Sequence, residues 1–216
     1  MTISEENYLK VIYHLSGLSP KGVNTNAIAG MLDTKASSVT DMLKKLSDKE
    51  LVDYQKYQGV FLTEKGKLAA KMVVRNHRLW EVFLVEKLEF AWDEVHEVAE
   101  ELEHIRSEKL INQLDKFLNF PSFDPHGDPI PNAKGEITTI TKQLLSEIET
   151  GKTITCVGVK DTSVDFLKYL DKQQISLGTK IKVLEKETFD GTIKIEVNTI
   201  VIVISDKIAN NLYVKT

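Results

Sequence analysis

Cys156 is the only cysteine in a chain of 216 residues. Its isolation excludes a disulfide scaffold and a Cys-based zinc finger, and it predicts a reducing, cytoplasmic setting. Long apolar runs are missing as well. None approaches the roughly 20 residues of a membrane helix, and no basic flank precedes an apolar stretch at the N-terminus, so no membrane partner is expected. Proline is scarce, and four of the five (Pro121, Pro125, Pro129, Pro131) crowd into eleven positions. Such a stretch cannot continue a helix and reads as an ordered loop. Repeats and low-complexity tracts are absent.

What the chain does have is charge, unevenly placed. The formal net charge of −4 argues at face value against a nucleic-acid partner. Counted by segment, residues 20–75 carry +4, residues 76–135 carry −7, and residues 136–216 balance. Four of the five histidines (His77, His96, His104, His126) fall in the acidic segment. Charge, histidine and proline together divide the chain into domains at 1–73, 74–140 and 141–216.

The first segment reads as helix, helix, turn, helix, hairpin. Ser4, with Glu5 and Glu6 after it, is a helix start, and Tyr8, Leu9, Ile12, Tyr13 and Leu15 recur at helical spacing. Gly17 and Pro20 end that helix. Asn24 caps a second helix with Ala27, Ile28, Met31 and Leu32 inward, and Ser37 or Ser38 opens a third with Val39, Met42, Leu43 and Leu46 inward. Residues 51–63 alternate around Gly59 as a β-hairpin does. This is the order of a winged helix-turn-helix, whose third helix enters the major groove of double-stranded DNA while the wing touches the backbone. The candidate DNA contacts are Lys35, Ser37, Ser38, Thr40, Lys44 and Lys45 on the third helix, with Lys56 and Tyr57 on the wing. Small hydroxyls and lysines suit phosphate contact and close base approach.

The acidic segment carries candidate metal ligands. His77 and Glu81 stand four apart within a predicted helix 64–88. His96, Glu100, Glu103 and His104 fall on one stripe of a second helix. Two imidazoles and two carboxylates in a row make a poor core and an expensive solvent face, but they serve as ligands for first-row divalent ions. With no thiolate among them, Mn2+ or Fe2+ is favoured. Asp93 with His96, and Glu101 with His104, also echo the carboxylate–histidine pairs of di-iron enzymes. That architecture needs four long helices with the pairs on different ones, whereas strand patterns begin near residue 153 here. No catalytic residue and no small-molecule substrate are expected.

At these residues the chain resembles the diphtheria toxin repressor and manganese transport regulator family of metal-dependent repressors. Glu5-Glu6-Asn7-Tyr8-Leu9 with Ile12-Tyr13 is similar to its first-helix signature. Asn76-His77-Arg78-Leu79, the His96–His104 stripe, and Phe120-Pro121 through Pro125-His126-Gly127 to Pro129-Ile130-Pro131 match its dimerisation domain. The resemblance implies a mainly α homodimer with a small C-terminal SH3-like β-barrel, and two metal positions per subunit. One would use Asn7, Glu100, Glu103 and His104. The other would use Glu81, Asp124, His126 and Asp165. The division of His77 and His96 between them stays open. Asn7 stands where members carry Asp or Met, and Lys10 where short manganese-selective members carry Glu. Glu100 and Asp124 stand where some members carry Cys, which tilts the donor set towards manganese.

From residue 153 short alternating stretches predict strands at 153–159, 175–183, 193–197, 200–204 and 212–214, with one helix at 163–170. Several short strands with a single helix fit a small barrel.

Overall fold

The computed structural model describes residues 1–17, 22–55 and 59–215. Helix α1 (Ile3–Ser16) begins earlier than the Ser4 reading. The Thr2 hydroxyl accepts from the Glu5 amide while the Glu5 carboxylate accepts from the Thr2 amide, a reciprocal capping box. Helix α2 (Thr25–Met31) is capped by the Asn24 carboxamide oxygen, which accepts from the Asn26 amide at 2.7 Å. Its inward residues are Ile28 and Ala29; Ala27 and Met31 face solvent, against expectation. The helix is only seven residues long, too short to bury a full stripe. Helix α3 (Ala36–Asp48) starts ahead of Ser37 and turns Val39, Leu43 and Leu46 inward. Strands β1 (Val52–Gln55) and β2 (Gly59–Leu62) pair antiparallel, and Val23 extends the ribbon through two hydrogen bonds with Val60.

Helix α4 (Glu64–Leu88) takes the span its periodicity predicts. The Thr63 hydroxyl accepts from the Gly66 amide, and a Cβ on Gly66 would lie 1.9 Å from the Leu51 carbonyl oxygen. Glycine is thus required where α4 leaves the hairpin. Helix α5 (Val95–Leu102) is shorter than the predicted stripe, and helix α6 (Glu108–Phe117) was not anticipated. Strand β3 (Gln143–Leu144) and a 3-10 turn follow, then β4 (Thr153–Val159), α7 (Val164–Lys172), β5 (Lys180–Lys186), β6 (Ile193–Val197), β7 (Ile200–Ile204), α8 (Asp206–Ala209) and β8 (Leu212–Lys215). These strands form one antiparallel sheet in the order β3-β8-β4-β5-β6-β7. Residues 175–179, expected to extend β5, turn instead, with Gln174 and Gly178 at positive φ.

The chain forms two compact units. The first comprises Met1–Trp80, Glu100–Phe117 and Pro131–Ile137, and the second Glu81–Ala99, Leu118–Ile130 and Thr138–Thr216. In the first, Leu9, Ile12, Ile28, Leu43 and Leu46 are fully buried and join α1, α2, α3 and the hairpin. In the second, Leu145, Ile154, Leu167, Leu170 and Ile181 fill the sheet and α7. Each such side chain contributes about 1.5–3 kcal/mol.

Candidate metal centres and DNA-facing helix

The predicted stripe divides. Helix α5 ends at Leu102, and Glu103 and His104 lie in the turn beyond it. The Asn76 carboxamide holds that turn by donating to the Glu103 carbonyl at 3.1 Å. The turn carries both side chains off the α5 surface and towards α1.

In the first unit Glu103 is the hub. Its carboxylate is almost wholly buried, with Oε2 2.7 Å from His77 Nδ1 and 2.6 Å from Lys10 Nζ. Lys10 Nζ also lies 3.4 Å from Glu100 Oε1. His104 Nδ1 lies 2.7 Å from Glu6 Oε2, and its Nε2 is 3.7 Å from Glu103 Oε1. Burial pushes the Glu103 carboxyl up, but the His77 hydrogen bond and the Lys10 charge outweigh it and hold Glu103 below the usual carboxylate range. Three carboxylates, two imidazoles and no thiolate form a hard oxygen and nitrogen donor set that suits a first-row divalent ion. The Lys10 ammonium lies between the Glu100 and Glu103 carboxylates and 3.4 Å from His77 Nδ1.

Glu6 and Lys10 were not foreseen as members of the cluster. They stand four apart on α1 and so share a face. An acidic residue that is 6% exposed next to the core residues Tyr8 and Leu9 is the signal that marks Glu6. Asn7 is half-buried on the same helix, and no described hydrogen bond joins its side chain to the cluster.

In the second unit Glu81, Asp124 and His126 are all buried, and their ligand atoms lie within 4.8 Å of one another. Glu81 comes from α4 and the other two from the proline loop, whose ends are tied by hydrogen bonds from Ile130 to Ser122 and from Asp124 to Asp128. Asp124 Oδ1 accepts from the His126 and Asp128 amides. His126 Nε2 donates to the Trp92 carbonyl at 2.8 Å, and the two rings stack. That bond places a proton on Nε2 and turns Nδ1 towards Glu81, 3.7 Å from its Oε2. Burial alone would lower the His126 pKa. The Glu81 hydrogen bond and charge, with Asp124, more than reverse this and raise it to about 9. His96 Nδ1 lies 3.5 Å from Glu81 Oε1, with over half its side chain exposed. The donor set and the three-residue convergence fit a divalent cation.

Asp165 is exposed in the first turn of α7 and is not among the converging residues. The sheet reaches this centre through backbone instead. The Val159 amide donates to the His126 carbonyl at 2.9 Å. Gly127, at φ +85°, packs so closely that a Cβ would stand 2.1 Å from the Val157 carbonyl oxygen. A bulge between Cys156 and Gly158 in β4 makes room for this approach. The Asp93 carboxylate lies 3.7 Å from the Lys168 ammonium. Cys156 is buried in the sheet, where burial pushes its thiol up to about 11 and keeps it protonated.

On α3, Lys35, Ser37, Ser38, Lys44 and Lys45 are exposed opposite the buried Val39, Leu43 and Leu46. Thr40 is half-buried and donates to the Ala36 carbonyl, and Lys44 pairs with Asp41 at 3.3 Å. Lys56 and Tyr57 lie outside the described residues.

A winged helix-turn-helix joined to imidazole and carboxylate clusters, with a small antiparallel barrel, defines a metal-dependent regulator rather than an enzyme. Residues 1–60 match the iron dependent repressor N-terminal DNA binding domain, residues 63–132 the iron dependent repressor metal binding and dimerisation domain, and residues 143–216 the FeoA domain. The chain belongs to this family of iron- and manganese-dependent transcriptional repressors. It is 37% identical over 128 residues to the iron-dependent repressor IdeR of Mycobacterium tuberculosis, a match spanning 58% of this chain and about half (54%) of that relative. It is 37% identical over 120 residues to the HTH-type transcriptional regulator MntR of Oceanobacillus iheyensis, spanning 55% of this chain and 80% of that one. A solved manganese-dependent transcriptional repressor in complex with manganese superposes with a TM-score of 0.85 at 35% identity, over 98% of this chain and 99% of that one. No helix among the described residues is long and apolar enough to cross a membrane.

Proposed function

We propose that this chain is a cytoplasmic repressor that binds double-stranded operator DNA as a homodimer when loaded with Mn2+. Its proposed domains are a DNA-binding domain at 1–73, a metal-binding and dimerisation domain at 74–140, and an SH3-like domain at 141–216. One observation carries the reading: Glu6 and Lys10 of α1 enter the carboxylate–imidazole cluster, while Leu9 and Ile12 of the same helix enter the core that holds α2 and α3. The cluster and the DNA-facing helix therefore share a rigid part.

A bound divalent cation supplies positive charge and directional bonds among Glu6, Glu100, Glu103, His104 and His77 at one centre, and among Glu81, Asp124, His126 and His96 at the other. In its absence Lys10 stands between Glu100 and Glu103, and Glu6 rests against His104. Held by Glu6 together with Glu103 and His104, such an ion would lock α1 to the turn after α5 and, through Leu9 and Ile12, the placement of α3. In a two-fold dimer that placement sets the separation of the two recognition helices, which must match about 34 Å for successive major grooves. Because the cation favours the DNA-competent arrangement, DNA reciprocally tightens cation binding. The all-oxygen-and-nitrogen donor set supports Mn2+, with Fe2+ as the second reading.

Glu103→Gln tests the assignment, since it removes the charge and keeps the shape. Mn2+-dependent binding to a duplex enriched from a random pool is expected to be lost while the dimer persists in sedimentation. Unchanged DNA affinity removes Glu103 from the site.

A further inference from the structure

We propose that Lys10 is a tethered cation that occupies the first cluster in the metal-free protein and must be displaced before a divalent ion binds there. The inference rests on the reading of that cluster as a metal centre and adds the residue that sets its threshold. The Lys10 ammonium lies 2.6 Å from Glu103 Oε2, 3.4 Å from Glu100 Oε1 and 3.4 Å from His77 Nδ1. Its side chain is 12% exposed, and the Glu103 carboxylate is 2% exposed. An ion pair that is buried to this degree is no surface decoration. Breaking it leaves Glu103 as an uncompensated buried charge.

The ammonium sits among Glu103, Glu100 and His77, the position a divalent ion held by these groups would take. A lysine has a single positive charge on a long flexible stem and can leave along that stem. It satisfies Glu103 well enough to keep α1 attached, yet it accepts no lone pair from a carboxylate as a metal does. Lys10 also offsets the carboxylate repulsion that would otherwise favour an incoming divalent ion. The first centre therefore answers only to a cation concentration high enough to expel it.

The two roles a buried lysine can have predict opposite signs. As a displaced competitor, its loss destabilises the metal-free protein and tightens Mn2+ binding. As a structural strut, its loss weakens both. Mn2+ binding is measured calorimetrically in a His126→Ala background, which isolates the first cluster, with and without Lys10→Met. A gain of about tenfold or more in affinity, together with a lower melting temperature of the chelated protein, is expected. Lys10→Arg, which keeps the charge, should return the affinity towards that of the parent. Unchanged or weaker Mn2+ binding in Lys10→Met overturns the proposal.

A second measurement uses the unmodified chain and does not depend on a variant folding. Acetylation of Lys10 by a water-soluble ester, mapped by mass spectrometry, should rise severalfold when Mn2+ is added. Labelling that stays constant overturns displacement. If Glu103→Gln in the same background loses no Mn2+ equivalent, the metal centre itself is wrong. If the equivalent is lost but Lys10→Met does not tighten binding, only the role of Lys10 fails.

Discussion

Alanine at position 127 puts a methyl group where the structure has no room. The added Cβ would stand 2.1 Å from the Val157 carbonyl oxygen and 2.4 Å from the Gly158 Cα, against an ordinary contact of 3.4 Å or more. Both obstacles are backbone, so the proline loop must retreat from β4 by roughly 1 Å. The φ of +85° adds about 1–2 kcal/mol for any residue with a Cβ. Losing the Val159 amide to His126 carbonyl hydrogen bond costs about 1 kcal/mol more. A melting temperature lower by about 5–10 °C is expected for a chain of this size. Because His126 rides on the displaced peptide, Mn2+ affinity at the second centre should fall by about 10–100-fold. Calorimetric titration and a thermal melt of the chelated protein read both effects. Gly151→Ala is the control: its φ is +88° with nothing within 4 Å of the added Cβ, so it should show the strain without the loss of metal. If Gly127→Ala binds Mn2+ with unchanged stoichiometry and affinity, the sheet does not hold the ligand loop in the way described.

Lys44→Ala removes an exposed ammonium paired with exposed Asp41, so stability should hold while DNA affinity falls and the salt slope shrinks by about one unit. An unchanged slope takes Lys44 out of the interface. His126, lifted to about 9 from 6.5, stabilises the metal-free protein fully below pH 6.5 and loses that contribution as pH rises through 9. His126→Gln should flatten the fall in melting temperature over that window, and Mn2+ binding at pH 7 should release a proton, visible as calorimetric heats that depend on buffer ionisation. Equal heats in phosphate and Tris contradict the protonated imidazole.

Much of this arrangement is legible in the amino-acid order where the signal is local. The bounds of α4 follow from its apolar periodicity, the hairpin from alternation around Gly59, and most barrel strands from β-branched runs. The end of α5 is not local. Nothing in Glu101-Leu102-Glu103-His104 breaks a helix, and the turn comes with tertiary partners, Asn76 on its carbonyl and Lys10, His77 and Glu6 on its side chains. A stripe that looks continuous thus divides between two clusters, with His96 beside Glu81 and His104 beside Glu6. Glu6 escaped notice because a glutamate after a helix start reads as a dipole partner, and burial alone reveals its other role. Helix α6 gives a weak signal because only Ile111 and Leu114 of its ten residues are buried. Asp165, the side chain that family resemblance implies, is exposed in the first turn of α7. Among the described residues the sheet meets the His126 loop through the Val159 amide and the close approach of Gly127 and Gly158, which carry no side-chain signature.

The central claim is that cation binding and DNA binding are one equilibrium. It is tested most directly by fluorescence anisotropy of a labelled duplex, titrated with protein in chelator and then with Mn2+, anaerobic Fe2+ and Zn2+ in parallel at constant ionic strength. Weak binding in chelator and a gain of about 5–150-fold or more with Mn2+, matched by Fe2+ only at higher concentration, is the expected result. Equal affinity in chelator and in Mn2+ would contradict it.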